Sequence, residues 1–163
     1  MSTIRVVVIT ASDACARGER EDTSGVALVQ LLSELGAEIV ESRILSDDLD
    51  PLVQTLHEFA LRDDVNLIIT TGGTGLGPRD NTPEATQRVI ERQAPGIAEA
   101  IRAESLKVTP MAMISRGVCG VCSGTLIVNL PGSPKAVRES FAVIAPVLPH
   151  ALDLLAGKTA HQQ

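Results

Sequence analysis

The sequence predicts one α/β domain over residues 1–163, with three layers and a mostly parallel central sheet that carries helices on both faces. Short apolar runs alternate along the chain with segments whose apolar residues recur at helical spacing. Parallel strands need helical crossovers that cover both faces of the sheet, so this alternation favours a parallel sheet of about five or six strands. The length of 163 residues suffices for a three-layer core.

The first half of the chain predicts three strands and two helices. Continuous or alternating apolar runs place the strands at residues 4–10, 37–45 and 65–71. The first helix, over 24–35, can take Thr23 or Ser24 as its N-cap. The second helix, over 50–62, takes Asp50 as its N-cap, with a proline directly after it.

The second half predicts further helices and a change in strand direction. Helices are expected over 82–92, 95–106 and 133–156. Thr82 is the expected N-cap of the first of these, with Pro83 at its first helical position. Residues 111–115 and 125–130 are strand-like, and the glycine-rich segment 117–124 between them is either a turn or a kinked strand. An antiparallel edge is therefore expected here, and the last three residues are expected to fray.

The loop after the third strand is the most informative segment. It carries Gly72, Gly73 and Gly75 between a buried strand and the helix start at Thr82. Strand, glycine-rich loop and helix in this order let backbone N–H groups approach a phosphate. The loop lacks the lysine of a P-loop, and Pro78 breaks the G-x-G-x-x-G spacing, so both common nucleotide fingerprints fail. Ligand contact and a plain turn that needs positive φ remain as alternatives.

Polar loops follow each of the main predicted strands. They contain Ser12-Asp13, Asp47-Asp48, residues 72–80 and residues 131–135. Because binding sites in parallel α/β folds lie beyond the carboxyl ends of the strands, these loops are expected to form one composite site.

Two aspartates in these loops are candidate carriers of a metal ion. Mg²⁺ that arrives with a nucleotide needs one or two protein carboxylates and several waters, and Asp47 and Asp80 would supply them. Asp48 is the alternative to Asp47, and capping of the following helix is the alternative role for Asp80. The helix start at Ser133 is either an anion site or an ordinary cap.

Five groups of residues then recur in order: Ser12-Asp13 with Gly18, Asp22, Ser24 and Gly25; Thr71-Gly72-Gly73-Thr74-Gly75 with Pro78-Arg79-Asp80 and Thr82-Pro83-Glu84-Ala85; Pro95-Gly96 with Glu99 and Arg102; Ser115-Arg116-Gly117; and Asn129-Leu130-Pro131-Gly132-Ser133-Pro134-Lys135. Together they closely resemble the signatures of the MoaB/Mog family of molybdenum-cofactor biosynthesis, whose domain also occurs in gephyrin and in a plant cofactor-biosynthesis protein. The resemblance runs nearly end to end.

This resemblance implies a molybdopterin adenylyltransferase, in which the terminal phosphate of molybdopterin attacks the α-phosphate of Mg²⁺-ATP and releases pyrophosphate. Asp47 and Asp80 would be catalytic and would hold Mg²⁺. The implied substrate-binding residues are Ser12, Asp13, Thr71, Gly72, Gly73, Thr74, Gly75, Ser115, Arg116, Asn129, Pro131, Gly132, Ser133 and Lys135. A homotrimer and a downstream molybdenum-insertion protein are also implied.

Two other functions stay open at this point. A MoaB-type protein of the same fold would bind molybdopterin without adenylylating it, although the intact segment 78–84 resembles the Mog branch more closely. An unrelated phosphate-binding α/β enzyme rests on fold analogy alone.

Composition excludes other classes of partner. The formal net charge is −6 and there is no basic patch, which disfavours nucleic acid. No apolar run approaches the roughly 20 residues of a membrane span, and an apolar strand begins almost at the N-terminus, so we expect a cytoplasmic protein without a signal peptide. Phe59 and Phe141 are the only aromatic residues, so a flat ligand must lie against aliphatic and backbone surfaces.

The C-x-x-C pair of Cys119 and Cys122 has no partner motif for zinc and lies among valines and glycines. Buried thiols are the favoured interpretation.

Overall fold

The structure is a computed structural model that describes residues 1–158; the three terminal residues that were expected to fray lie outside this range. Within it, six strands form one sheet in the spatial order β2-β1-β3-β6-β5-β4. The strands are β1 (Arg5–Ala11), β2 (Glu38–Leu45), β3 (Leu67–Thr71), β4 (Arg92–Gln93), β5 (Cys119–Cys122) and β6 (Thr125–Leu130). The helices are α1 (Asp13–Ala16), α2 (Thr23–Glu34), α3 (Leu49–Ala60), α4 (Thr82–Val89), α5 (Pro95–Leu106), α6 (Pro134–Ile144) and α7 (Leu148–Leu155), with a 3-10 helix at Pro110–Ile114.

Strand direction divides the sheet into two parts. β2, β1, β3 and β6 run parallel, with Val8 of β1 opposite Ile69 of β3 and Ile69 opposite Val128 of β6. β5 and β4 then add an antiparallel edge, since β5 and β6 form a hairpin that turns at Ser123 and Gly124. This arrangement confirms the predicted fold class and the expected antiparallel edge.

Alternate residues of the central strands fill two separate cores. Val6 and Val8 of β1 pack on the face covered by α2, α5, α6 and α7. Val7 and Ile9 pack on the opposite face, against α3 and α4. Period-two alternation in a continuous apolar run is what a strand buried on both faces requires, and it produces the three layers.

The two cysteines of the C-x-x-C motif lie in different cores. Cys119 belongs to the face of α5 and α6, and Cys122 to the face of α3 and α4. Both thiols are buried and free. Burial raises the pKa of Cys119 to about 12 and also raises the pKa of Cys122. The prediction of buried thiols is confirmed.

Several predicted elements differ from the structure. Residues 111–115 form part of the 3-10 helix and not a strand, because Thr109 accepts a hydrogen bond from the N–H of Met111 (3.2 Å) and Pro110 starts the turn. The predicted helix over 133–156 is two helices, α6 and α7, because Pro146 lies in the break between them; Pro149 lies in the first turn of α7. The predicted helix over 82–92 ends at Val89, and Arg92 already belongs to β4.

Three predicted N-caps were wrong by one or two residues. Asp22 caps α2, with its Oδ1 accepting from the N–H of Gly25 at 2.9 Å, and Thr23 lies inside the helix. Asp48 precedes α3 in place of Asp50. Asn81 precedes α4, while the Thr82 hydroxyl donates to the Gly72 carbonyl at 2.9 Å. No helix within residues 1–158 has both the length and the apolar character that crossing a membrane requires.

Candidate active site

A polar cleft of about 390 Å³ lies beyond the carboxyl ends of β1, β3 and β6. It brings together eight of the residues that the sequence predicts as site residues: Ser12, Asp47, Thr71, Gly72, Gly73, Asp80, Gly132 and Ser133. The loops that follow four parallel strands meet here because their carboxyl ends lie at one edge of the sheet. Their convergence is what the order of strands and loops predicts.

The glycine loop forms the floor of this cleft and needs its glycines. Gly72 and Gly73 have φ values of +92° and +66°, a region that residues with a side chain rarely adopt. A Cβ atom on Gly72 would lie 2.4 Å from the carbonyl oxygen of Ala11. The Thr71 hydroxyl donates to the Pro131 carbonyl at 2.7 Å, which fixes the loop against the turn after β6. Gly72 and Gly73 therefore combine the positive φ of a tight turn with a position in the lining of the cleft.

Asp47 and Asp80 both line the cleft beside the glycine loop, and each keeps one oxygen for a ligand. Asp47 Oδ2 accepts from the Asp13 N–H at 2.9 Å, and Asp80 Oδ2 accepts from the Gly77 N–H at 2.8 Å. Within residues 1–158, neither Oδ1 atom accepts a hydrogen bond. Desolvation raises the pKa of Asp47 above its ordinary value, and the nearby carboxylates of Asp13 and Asp80 raise it further. A cation would relieve this cost.

The two carboxylates fit a Mg²⁺ ion that is carried by its nucleotide. Among the described residues no group of three or more potential ligands is close enough to hold a metal alone. Two carboxylates with free oxygens are what such an ion needs when phosphates and waters complete its octahedron. Asp48 does not line the cleft, because Arg79 and Ser46 hold its carboxylate, each at 2.9 Å. Asp80 does not cap α4 either, so the capping alternative has no support in the geometry.

A second pocket of about 240 Å³ borders the same glycine loop. Thr74, Gly75, Ser115 and Pro131, all predicted substrate-binding residues, contribute to it. Its other lining residues include the apolar Ile101, Met111 and Ile114 and the charged Arg102 and Glu139. This pocket offers the aliphatic surface that a flat ligand must use in a protein without Tyr or Trp.

Arg116 holds the glycine loop and does not reach toward a ligand. Its Nε donates to the Gly75 carbonyl and its Nη2 to the Asp80 carbonyl, both at 2.7 Å. Its Nη1 forms an ion pair with Glu84, and this pair lowers the pKa of Glu84. These contacts tie the turn after the 3-10 helix to the glycine loop, to Asp80 and to the first turn of α4, so the structure gives Arg116 a positioning role.

Asn129 is likewise satisfied inside the protein. Its side-chain amide donates to the hydroxyls of Thr70 (3.0 Å) and Thr86 (2.9 Å), and its Oδ1 accepts from the Val118 N–H at 3.1 Å. The residue is buried. Direct contact with a ligand through this side chain would leave at least one of these buried groups unpaired, which costs about 1–3 kcal/mol.

The helix start after β6 contributes its serine to the cleft but not its lysine. Ser133 caps α6 through the N–H of Ala136 at 3.2 Å and also lines the cleft. Lys135 does not line it; its ammonium lies 3.9 Å from Glu139, a residue that lines the second pocket. Capping and cleft contact coexist at Ser133, whereas Lys135 approaches the second pocket only through Glu139.

Arg20 is a residue that the sequence patterns did not identify. Its Nη2 donates to the Ser12 hydroxyl at 3.1 Å. Of the described residues that line the cleft, it is the sole Lys or Arg, among four carboxylates: Glu21, Asp22, Asp47 and Asp80. The one feature of the sequence that pointed to Arg20 as a site residue was its position in a polar loop after β1. A charged residue in such a loop is usually solvated, so this feature alone was not enough to identify it.

Comparison with known proteins adds independent information. The sequence matches the family described as "Probable molybdopterin binding domain" over residues 7–150. The molybdopterin adenylyltransferase of Helicobacter pylori (strain ATCC 700392 / 26695) is 40% identical over 159 residues, which are 96% of this chain and 90% of that protein. That of Escherichia coli K12 is 38% identical over 142 residues, or 86% and 73%. The Drosophila melanogaster molybdenum cofactor synthesis protein cinnamon is 45% identical over 156 residues, but this chain spans only 26% of its length.

Solved structures agree with these relatives. MoaB of Thermus thermophilus superposes with a TM-score of 0.89 at 47% identity and covers 96% of this chain and 98% of its own. The Mog protein of Mycobacterium ulcerans superposes with a TM-score of 0.88 at 41% identity, covering 96% and 99%. The family match and the near-complete alignments to these relatives lead to one conclusion: the chain belongs to the molybdopterin-binding domain family that includes MoaB and Mog.

Proposed function

We propose that this protein adenylylates molybdopterin, using Mg²⁺-ATP and releasing pyrophosphate. The observation that carries the proposal is the pair Asp47 and Asp80, each with one oxygen free, which line a polar cleft together with the glycine loop. Relatives named molybdopterin adenylyltransferase, 38–40% identical over most of their length, support the reaction.

The two pockets that border the glycine loop suit two different ligands. The polar cleft, with its carboxylates, Arg20 and the start of α6, suits the triphosphate of Mg²⁺-ATP. The aliphatic pocket beside Thr74 and Ser115 suits the pterin. Because Gly73 lines the first pocket and the next residue, Thr74, lines the second, phosphates held at the near edges of the two pockets would lie close together. The terminal phosphate of molybdopterin would meet the α-phosphate of ATP there.

The protein supplies position and charge, and the substrate supplies the nucleophile. An oxygen of the molybdopterin phosphate forms a new bond to the α-phosphorus as the bond from that phosphorus to the β-phosphate oxygen breaks, and pyrophosphate leaves. Mg²⁺, when bound, would neutralise the phosphate charge. Asp47 and Asp80 would orient that ion, and the Gly73 N–H and Arg20 would orient the phosphates. The Gly72 N–H already donates to the Leu130 carbonyl at 3.1 Å.

A three-way measurement on Asp80→Asn tests the proposal. The asparagine still accepts from the Gly77 N–H, so we expect a nearly unchanged melting temperature and molybdopterin affinity. Adenylylation should fall roughly a hundredfold or more, the scale for losing a preorganised electrostatic group. Near-normal turnover would reject Asp80 as a metal carrier. A wild-type protein that binds molybdopterin yet yields no adenylylated product or pyrophosphate would support the binding-only alternative.

The remaining expectations belong to the same proposal. By resemblance we propose a cytoplasmic homotrimer that delivers its product to a molybdenum-insertion protein. Exposed apolar side chains at Leu106, Val108, Met111, Met113 and Ile114 are compatible with subunit contacts around the end of α5. Light scattering at micromolar concentration would contradict the trimer by giving a monomer mass.

A further inference from the structure

Arg79 connects its own loop to two other loops that border the cleft. Its Nε donates to Asp13 Oδ2 and its Nη2 to Asp13 Oδ1, both at 2.9 Å, so the pair is bidentate. The same Nη2 donates to Asp48 Oδ1 at 2.9 Å. Arg79 lies in the loop after β3, Asp13 in the segment after β1 and Asp48 in the loop after β2. One guanidinium therefore joins the ends of three adjacent strands.

Asp13 in turn holds Asp47 by two reciprocal hydrogen bonds. Asp47 Oδ2 accepts from the Asp13 N–H at 2.9 Å, and Asp13 Oδ1 accepts from the Asp47 N–H at 3.0 Å. These bonds fix both the backbone and the carboxylate of Asp47. Asp13 was predicted to bind substrate, but both of its carboxylate oxygens already have protein partners.

We propose that Arg79 and Asp13 form a positioning pair that holds the Asp47 carboxylate in the cleft. The inference rests on the proposed function, since it gives Asp47 its role toward the metal–nucleotide. Asp47 is half-buried beside the carboxylates of Asp13 and Asp80, so repulsion and desolvation both favour its turning out to solvent. Arg79 neutralises the charge of Asp13 and fixes its carboxylate, which in turn holds Asp47.

The chemistry requires an arginine. Only a planar guanidinium donates two parallel hydrogen bonds to one carboxylate while a further N–H reaches another. A lysine at this position would keep the charge and lose the bidentate geometry. Displacing a catalytic group by about 1 Å can cost roughly a hundredfold in rate, so loss of the pair should be visible in turnover although neither residue touches the substrate.

A double-mutant cycle with Arg79→Gln, Asp13→Asn and the double variant tests this pair. We expect each single change to lower kcat/KM for Mg²⁺-ATP by about 10- to 100-fold and to weaken Mg²⁺-ATP binding in calorimetry. The double variant should be no worse than the less active single variant, because both changes remove the same unit. Molybdopterin affinity should stay unchanged, and Arg79→Lys should recover only part of the loss.

Arg17→Gln is the matched control. Arg17 lies in the same segment as Asp13, and within residues 1–158 its one ion pair is with Glu19 at 2.9 Å on the surface. Its replacement removes a charge near Asp13 without breaking a hydrogen bond to it, so the variant should behave as wild type. Losses that multiply in the double variant, or an equal loss of molybdopterin affinity, would overturn the inference.

Amide hydrogen exchange separates this inference from the proposed function. The N–H groups of Asp13 and Asp47 should be protected in the wild type and should exchange at least about tenfold faster in Arg79→Gln, whether or not the protein adenylylates anything. Unchanged exchange would refute the positioning pair while leaving the proposed reaction intact. If Arg79→Gln does not fold, the exchange rate of the Asp47 N–H can be measured in Asp13→Asn instead.

Discussion

Replacing Gly72 with alanine should destabilise the protein more than any other single methyl addition in the glycine loop. The residue has a φ of +92°, and the new Cβ would lie 2.4 Å from the Ala11 carbonyl oxygen, against an ordinary contact of 3.4–4 Å. The left-handed backbone costs about 1–2 kcal/mol for a residue with a side chain. Relieving the contact needs a movement of about 1 Å between the ends of β1 and β3, and such overpacking costs about 1–3 kcal/mol. The sum of these two costs is about 2–5 kcal/mol.

Gly36→Ala separates the two contributions. Gly36 has a similar φ of +84°, but nothing lies within 4 Å of the position that its Cβ would take, so its substitution should cost only the backbone part. Urea unfolding followed by far-UV circular dichroism measures both variants. We expect Gly72→Ala to lose about 1–3 kcal/mol more than Gly36→Ala. Equal losses would refute the argument that the Ala11 carbonyl packs against Gly72, and with it the requirement for glycine at the cleft floor.

Three further changes test the electrostatics of the cleft. Because desolvation raises the pKa of Asp47 in the folded state, its charge opposes folding at neutral pH; Asp47→Asn should raise the melting temperature while adenylylation falls roughly a hundredfold. Arg20→Met should raise KM for Mg²⁺-ATP by about tenfold, the scale of one charge-assisted hydrogen bond, whereas Arg17→Met should not; equal KM values would remove Arg20 from the site. Arg79 and the Asp47 N–H lower the pKa of Asp13 from 3.8 to about 2, so the stability that the Asp13–Arg79 pair contributes is fully present above about pH 4 and is lost as the pH falls through about 2. A gap in melting temperature between wild type and Arg79→Gln that is as large at pH 2 as at neutral pH would contradict this assignment.

Local patterns were sufficient for the central strands and for the place of the site. The runs at residues 4–10 and 65–71 have a single interpretation, because a continuous apolar segment of that length among polar loops must be buried on both faces. The topology then determined the position of the site, because parallel strands bring the loops that follow them to one edge of the sheet. Nothing about ligand chemistry was needed for this part.

The errors occurred where the outcome depends on a few local hydrogen bonds. Residues 111–115 have the composition of a strand, but the Thr109 hydroxyl and Pro110 start a 3-10 turn, and no strand of the described sheet is adjacent to pair with it. The break between α6 and α7 lies in a helical apolar pattern that continues across it, so only Pro146 and Pro149 indicated it in the sequence.

The contacts of the charged residues could not be predicted either. Arg79 and Arg116 both occur in glycine-rich segments of a protein expected to bind phosphates, which suggested ligand contact. Each instead bonds to groups at least 31 residues away in sequence. Such pairings depend on how loops approach one another, and single-sequence patterns carry no information about that distance.

The nearly all-aliphatic core also determines how this protein can be observed. Phe59 and Phe141 are buried, and the sequence has no Tyr or Trp, so the polypeptide contributes almost no absorbance or emission in the near ultraviolet. A pterin or an adenine bound in either pocket would be seen against a nearly dark background. Its spectrum could then be followed during turnover without a label, and a tryptophan introduced at a chosen position beside one pocket would report on that pocket alone.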